Sequence, residues 1–204
     1  MNKLSRRSFL KTTSLGMTFM ATQMYSQGFS NLLLKDAKFE KIKLDYVIFD
    51  KGIKQSEEFA LKMKALGTKV FEVDKDISSM WSEIINPTWG KEKDTAIVGL
   101  TSYETMFVLQ KIAFDKNMVL YYSAQHDFNE KNIKHKINTS KTILENIEKN
   151  LKYYSWSDTL ALNLNNYPYE KIKVKDEIQT EYENNDKKNI VLYSWIMAPR
   201  KIAC

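Results

Sequence analysis

Asp45-Tyr46-Val47-Ile48-Phe49-Asp50, a polar turn, a helical stretch from Ser56 to Leu66, Gly67, and then Thr68-Lys69-Val70-Phe71-Glu72-Val73-Asp74: this order of residues decides the fold class. A short apolar run bounded by charge suits a strand buried on both faces, as in a parallel sheet. Phe59, Ala60, Met63 and Leu66 recur at helical spacing behind Ser56, which is expected as the N-cap, and Gly67 is expected to end the helix. Strand, amphipathic helix, glycine and strand make a βαβ unit.

The same alternation continues toward the C-terminus. Ile77, Met80, Trp81, Ile84 and Ile85 predict a helix over 76–89, stopped at Asn86-Pro87. Thr95 to Leu100 reads as a third buried strand. Thr101 with Glu104 three residues on predicts a capping box, opening a helix with Met106, Phe107, Gln110, Ala113 and Phe114 in one stripe. Met118 to Ser123 reads as a fourth strand leading into a polar loop, Ala124-Gln125-His126-Asp127. Ile143, Ile147 and Leu151 predict a helix over 140–153, and 156–164 fits either helix or strand. The highly charged 170–188 reads as a surface excursion with a short strand at 172–174. Ile190 to Ala198 then supplies the last strand, ended by Pro199. The pattern predicts an α/β domain with three layers and a mostly parallel sheet of flavodoxin-like or Rossmann-like type, in which the last strand can run antiparallel. Residues 31–44 read as a tether and 45–204 as a single domain.

Ahead of the tether stands Ser5-Arg6-Arg7-Ser8-Phe9-Leu10-Lys11, and no charge occurs from Thr12 to Leu34. With Arg6, Arg7, Phe9, Leu10 and Lys11 in frame, residues 1–30 resemble the signal peptides of the twin-arginine translocation (Tat) pathway. Ten Ser, Thr, Asn and Gln residues in the uncharged run make it too polar for a membrane span. The resemblance implies folding before export, the Tat translocase as a partner, a periplasmic location, and membrane contact only in transit. Retention by an uncleaved signal is the alternative. Many Tat substrates carry or accompany redox cofactors, so an exported redox enzyme is a candidate partner.

The net charge of +6 comes from 31 basic and 25 acidic residues. Lys3, Arg6, Arg7 and Lys11 belong to the signal, so the remainder holds 27 against 25, and nucleic acid is not an expected partner. The single cysteine, Cys204, excludes an intramolecular disulfide.

In parallel α/β sheets, chemistry gathers at the carboxyl ends of the strands. Asp50, Gly99, Thr101, Ser102, Gln125 and His126 are therefore the candidate ligand-binding residues. Gly99 allows close approach, and the helix beginning at Thr101 offers free amides to a small polar or anionic ligand. His126 is the candidate acid or base. No G-x-S-x-G elbow surrounds Ser123, and no G-x-G-x-x-G or G-x-x-x-x-G-K-[ST] occurs. His126 and His135, nine residues apart, fit no helical ligand pair and have no thiolate nearby, so no zinc or iron–sulfur site is expected and no metal ligand is named; copper or haem ligation by methionine and histidine stays open, and no cofactor is identified. Trp81 and Trp195 are the tryptophans expected to compete for a pocket. These features point to an exported binding or accessory protein, with a small hydrolase or oxidoreductase subunit, or a structural partner of a redox enzyme, as the alternatives.

Overall fold

The computed structural model describes residues 40–74, 77–91, 96–170, 174–182 and 189–201. The signal-like segment, the first part of the tether and Cys204 lie outside the described residues. The elements are β1 Leu44–Asp50, α1 Lys54–Ala65, β2 Lys69–Val73, α2 from Ser78 to Lys91, β3 Ala96–Thr101, α3 Tyr103–Asp115, β4 Met118–Phe128, β5 Asn132–Thr139, α4 Lys141–Asn150, α5 Trp156–Asn165, β6 Val174–Glu181 and β7 Ile190–Pro199. Among the described residues, no helix is long and apolar enough to cross a membrane.

The seven strands form one mixed sheet in the order β2-β1-β3-β7-β4-β5-β6. The βαβ reading holds for the first half, where β1 pairs in parallel with both β2 and β3. The expectation of a mostly parallel sheet fails in the second half, where β3–β7, β7–β4, β4–β5 and β5–β6 are all antiparallel. The reason is connection length. A parallel neighbour needs a crossover of a dozen or more residues, and β4 is joined to β5 by residues 129–131 alone, a turn closed by Asn129 N donating to Asn132 O at 2.9 Å.

That hairpin also corrects the reading of 124–127 as a polar loop. These residues continue β4 with strict alternation: Tyr122, Ala124, His126 and Phe128 are buried, and Ser123, Gln125 and Asp127 are half-buried on the other side. In the charged region, the strand runs over Val174–Glu181 at the sheet edge; of the strand expected at 172–174, Val174 is the first residue of this one, and 172 and 173 lie outside the described residues. Residues 156–164 resolve as helix, since Ser155 accepts from Asp158 N at 3.2 Å as an N-cap, just as Ser140 accepts from Ile143 N at 3.3 Å for α4.

Two apolar cores lie on opposite faces. One joins Val47, Phe49, Val98 and Leu100 to Phe59 and Met63 of α1, Ile143 and Ile147 of α4, and Trp156 and Leu160 of α5. The other joins Ile48, Ile97, Trp195 and Met197 to Ile84 and Ile85 of α2 and Leu109 and Ala113 of α3. Within α3 the buried stripe is Thr105, Met106, Leu109 and Ala113, whereas Phe107 and Phe114 are exposed. α2 passes through Asn86-Pro87 instead of stopping there: a π-helical turn, Trp81–Ile85, precedes a helical stretch Asn86–Lys91. Proline lacks an N–H and is tolerated in the first turn of a helix, which is where Pro87 falls.

Part of the segment read as tether is anchored: Glu40, Lys41 and Lys43 are exposed, but Ile42 is not. Ile42 is fully buried, its N–H donates to Tyr167 O at 2.8 Å, and Tyr169 N donates to Glu40 O at 2.8 Å.

The halves of the sheet meet at β7. Gly99 and Trp195 are register partners, and a Cβ on Gly99 would stand 2.2 Å from Cζ2 of the Trp195 indole. Gly99 lacks a side chain because Trp195 occupies its place. Gly99→Ala is therefore expected to lower stability by about 1–3 kcal/mol through overpacking. In urea denaturation the double variant G99A/W195F should cost less than the sum of the two single changes, since phenylalanine withdraws the clashing atoms.

Candidate functional site

At the β1 and β3 carboxyl ends, the expected residues do meet, but they satisfy one another. Asp50 is buried, and its Oδ2 accepts from Ser102 N at 2.6 Å while its Oδ1 accepts from Thr105 Oγ1 at 2.9 Å. Ser102, not Thr101, is the N-cap of α3, in extended conformation and with no cap bond from its own side chain. The carboxylate of Asp50 supplies that cap from a neighbouring strand, placing a negative charge at the positive end of the helix. The place expected for an external anion is thus filled by Asp50 itself.

Thr101 is the last residue of β3 and fully buried, and its Oγ1 accepts from Trp195 Nε1 at 3.0 Å. The expected Thr101–Glu104 capping box does not form. Ser56 likewise sits inside α1, whose N-cap is Ile53. Its hydroxyl accepts from Asp50 N at 3.1 Å and donates to Leu100 O, tying β1 and β3 to the helix between them. Among the pocket candidates, Trp195 is buried over Gly99, and Trp81 is partly exposed with the Lys116 ammonium 5.6 Å above its ring.

His126 is not brought to this cluster. Thr101 and Gln125 both lie opposite Tyr193 in register, so β7 stands between β3 and β4 and separates them by about 10 Å, two strand spacings. Gln125 and His126 also face opposite sides of the sheet, as successive strand residues must. Gln125 Nε2 donates to Asp127 Oδ1 at 2.6 Å on the face away from the histidine.

What surrounds His126 is a chain of polar groups crossing four strands beneath α4 and α5. Its Nδ1 is 2.7 Å from Nδ1 of His135 on β5, and its Nε2 is 2.6 Å from Ser194 Oγ on β7. His135 Nε2 is 2.9 Å from Thr180 Oγ1 on β6, and Ser194 Oγ reaches toward Tyr122 OH at 3.5 Å. Trp156, the first residue of α5, covers both imidazoles, with ring centroids 5.7 Å from His126 and 6.2 Å from His135. Below it lies a cavity of about 20 Å³, bordered by Tyr122, both histidines, Trp156 and Thr159. Thr159 Oγ1 is buried without a hydrogen-bond partner.

Outside the same tryptophan lies a groove of about 470 Å³, lined by Glu148, Lys152, Tyr154, Trp156, Gln179 and Glu181 among others, with Thr180 in its wall. Trp156 and Leu151 border both the cavity and the groove. The polar chain therefore runs from the rim of the molecule at Thr180 to its centre at Ser194.

His135, Ser194, Thr180 and Trp156 were not singled out as site residues from the sequence. The signal for His135 was present: in Ile133-Lys134-His135-Lys136-Ile137 the lysines alternate, and the period of two that sends them outward sends His135 inward.

Burial holds both histidines neutral. Desolvation, followed by repulsion from His135, pushes His126 well below the ordinary range, and desolvation lowers His135 to about 4 despite the opposing influence of Asp127. No protein-family profile matches the chain, and neither curated proteins nor solved structures give a significant match.

Two outcomes are expected. Asp50→Ala, which removes the cap linking β1 to α3, should lower stability by about 1–2 kcal/mol in thermal or urea unfolding. Because both histidines titrate lower in the folded chain than the unfolded value of about 6.5, the unfolded state binds more protons in between. Stability is then full above neutrality and falls as pH drops from about 6.5 toward 4, with a slope approaching roughly 1.4 kcal/mol per pH unit for each histidine. Guanidine denaturation at pH 7.5, 6 and 5 measures the slope, and His135→Gln should reduce it.

Proposed function

We propose that the chain is a ligand-binding or accessory protein exported by the Tat pathway, and that its ligand seats in the groove between the α4–α5 connection and edge strand β6. The groove itself carries the reading. At about 470 Å³ it falls in the size range of small-molecule sites, roughly 300–1,000 Å³. Its floor is an aromatic ring, and its rim offers both signs of charge. Lys152 suits a carboxylate-bearing ligand, Glu148 an amino group, and Thr180 a neutral hydrogen bond, whereas Gln179 and Glu181 alternate with Thr180 along β6 and turn their side chains to the other face. A small zwitterionic or mixed-polarity molecule matches this set better than the simple anion expected at β3. Support for export comes from Ser5 to Lys11 and the uncharged run behind it. The Tat translocase is the partner on that route, the periplasm is the destination, and a redox enzyme sharing the route is the candidate client of an accessory role.

Acid–base catalysis is the second reading, carried by the Ser194 Oγ to His126 Nε2 contact. Ser194 is fully buried within β7 and His126 nearly so, so only a reactant of about the size of water reaches them without movement of Trp156.

Two measurements test the proposal. Replacing Arg6 and Arg7 together by lysine should leave the chain in the cytoplasm on fractionation. Native mass spectrometry of protein taken from the periplasm should show a small adduct that is lost in Lys152→Glu and retained in Asp50→Ala. An adduct lost only with Asp50→Ala, in a folded variant, would return the site to the β3 end.

A further inference from the structure

Four features of the His126–His135 pair, taken together, describe more than a hydrogen bond. The rings face each other through Nδ1 at 2.7 Å from register-paired positions on β4 and β5. Each outer nitrogen is held by a hydroxyl, Ser194 on His126 and Thr180 on His135. When both hydroxyls accept from Nε2–H, both Nδ1 atoms present lone pairs to the same point. Anchoring the far nitrogen of an imidazole in this way is how proteins orient metal-binding histidines.

Room is available beside the two rings. A cation held between the two Nδ1 atoms at metal–nitrogen distances of roughly 2 Å needs them about 4 Å apart, so the rings must part by about 1.3 Å from their 2.7 Å contact. The cavity of about 20 Å³ borders both rings, and Thr159, whose buried hydroxyl has no hydrogen-bond partner, lines it as well.

Charge selects the ion. Among the described residues, no group of three or more His, Cys, Asp or Glu is placed to hold a metal, and Asp127 lies on the opposite face of the sheet. A divalent ion would be buried with no compensating carboxylate or thiolate, at a large desolvation cost. A monovalent ion that accepts two-coordinate nitrogen ligation escapes most of that cost, and the Trp156 ring over both imidazoles gives its charge a π face.

We infer that His126 and His135 form a binding site for a single monovalent soft cation, cuprous copper by chemical class, coordinated by the two Nδ1 atoms beneath Trp156. The site adjoins the groove, with which it shares Trp156 and Thr180, but its two nitrogen donors lie beneath Trp156 and it does not depend on what binds in the groove. Coordination involves no redox step. The proton that one Nδ1 donates to the other moves to Nε2 of its own ring, where the hydroxyl turns to accept it, so binding at neutral pH releases no net proton.

The test is anaerobic titration of the full-length protein with Cu(I) against the chromophoric chelator bicinchoninate, with X-ray absorption on the loaded protein. The expected result is one Cu(I) per chain, with two nitrogen or oxygen scatterers and no sulfur. His135→Asn should lose Cu(I) binding at least 100-fold. Thr180→Val, which removes only the positioning hydroxyl and leaves both donors in place, should lose about 10–100-fold. Three results overturn the site: no Cu(I) retained against the chelator, sulfur scattering that places the ion on methionine or on Cys204, or Zn(II) binding tighter than Cu(I). Equal affinity in a folded His135→Asn also overturns it. If that variant does not fold, Thr180→Val and the scattering of the wild type decide.

Discussion

The sheet depends on one strand being accepted between two others. β7 comes last in the chain yet lies fourth of seven in the sheet, antiparallel to β3 on one side and to β4 on the other. Without it the parallel β2-β1-β3 unit and the β4-β5-β6 meander share no backbone pairing. The contact that admits it is Trp195 laid over Gly99, with the indole N–H satisfied by Thr101. Full burial of an indole removes some 150–250 Å² from water, worth about 4–6 kcal/mol before ordering costs. A side chain on Gly99 would force that ring away and with it the strand. Because β7 joins partners 60 or more residues distant, its docking closes long loops, and such non-local pairing is slow to form.

This insertion also marks where sequence pattern stops being informative. The parallel half was legible because each strand there is a short apolar run punctuated by a helix with a clear stripe, and local periodicity is enough to read it. Strand order is not a local property. Nothing in Ile190 to Ala198 says that it slots between β3 and β4 instead of closing an edge. The β4–β5 hairpin was missed for a different reason. Its turn, Asn129-Glu130-Lys131, contains no glycine or proline, and the run Gln125-His126-Asp127 is polar enough to read as loop until the alternation with Ala124 and Phe128 is followed through. Lysines at 134 and 136 gave the same period on the facing strand.

The functional reading was misled by the same locality. Polar groups at strand ends invite a ligand when each is considered alone, and Asp50, Ser102 and Thr101 were read in that way. In three dimensions their hydrogen-bonding capacity is spent inside the protein. Asp50 caps α3, Ser56 bridges β1 to β3, and Thr101 anchors the indole. A carboxylate that would attract a ligand's cation is neutralised by a helix end, and a helix end that would attract an anion is neutralised by the carboxylate. Such reciprocal satisfaction is the usual fate of buried polar groups, and it accounts for these residues without a ligand.

The same accounting does not close beneath Trp156. Tyr122, His126, His135, Ser194 and Thr180 form a polar row through a core built mainly of aliphatic and aromatic side chains. A row of apolar residues at these inward positions would avoid the desolvation that holds both imidazoles neutral. Capping and strand pairing do not require the row, because the backbone ladders of β4, β5, β6 and β7 are complete without any side chain. Ser194 gives its one hydrogen to Tyr122 OH, so it accepts from His126 Nε2–H, His126 Nδ1 accepts from His135 Nδ1–H, and His135 Nε2 accepts from the Thr180 hydroxyl. Thr159 adds a hydroxyl with no partner to the same small cavity. Asp50 is explained by what it holds in place; the histidine row holds nothing that the sheet does not already hold, and that difference sets the polar groups of the antiparallel half apart from those at the ends of the parallel strands.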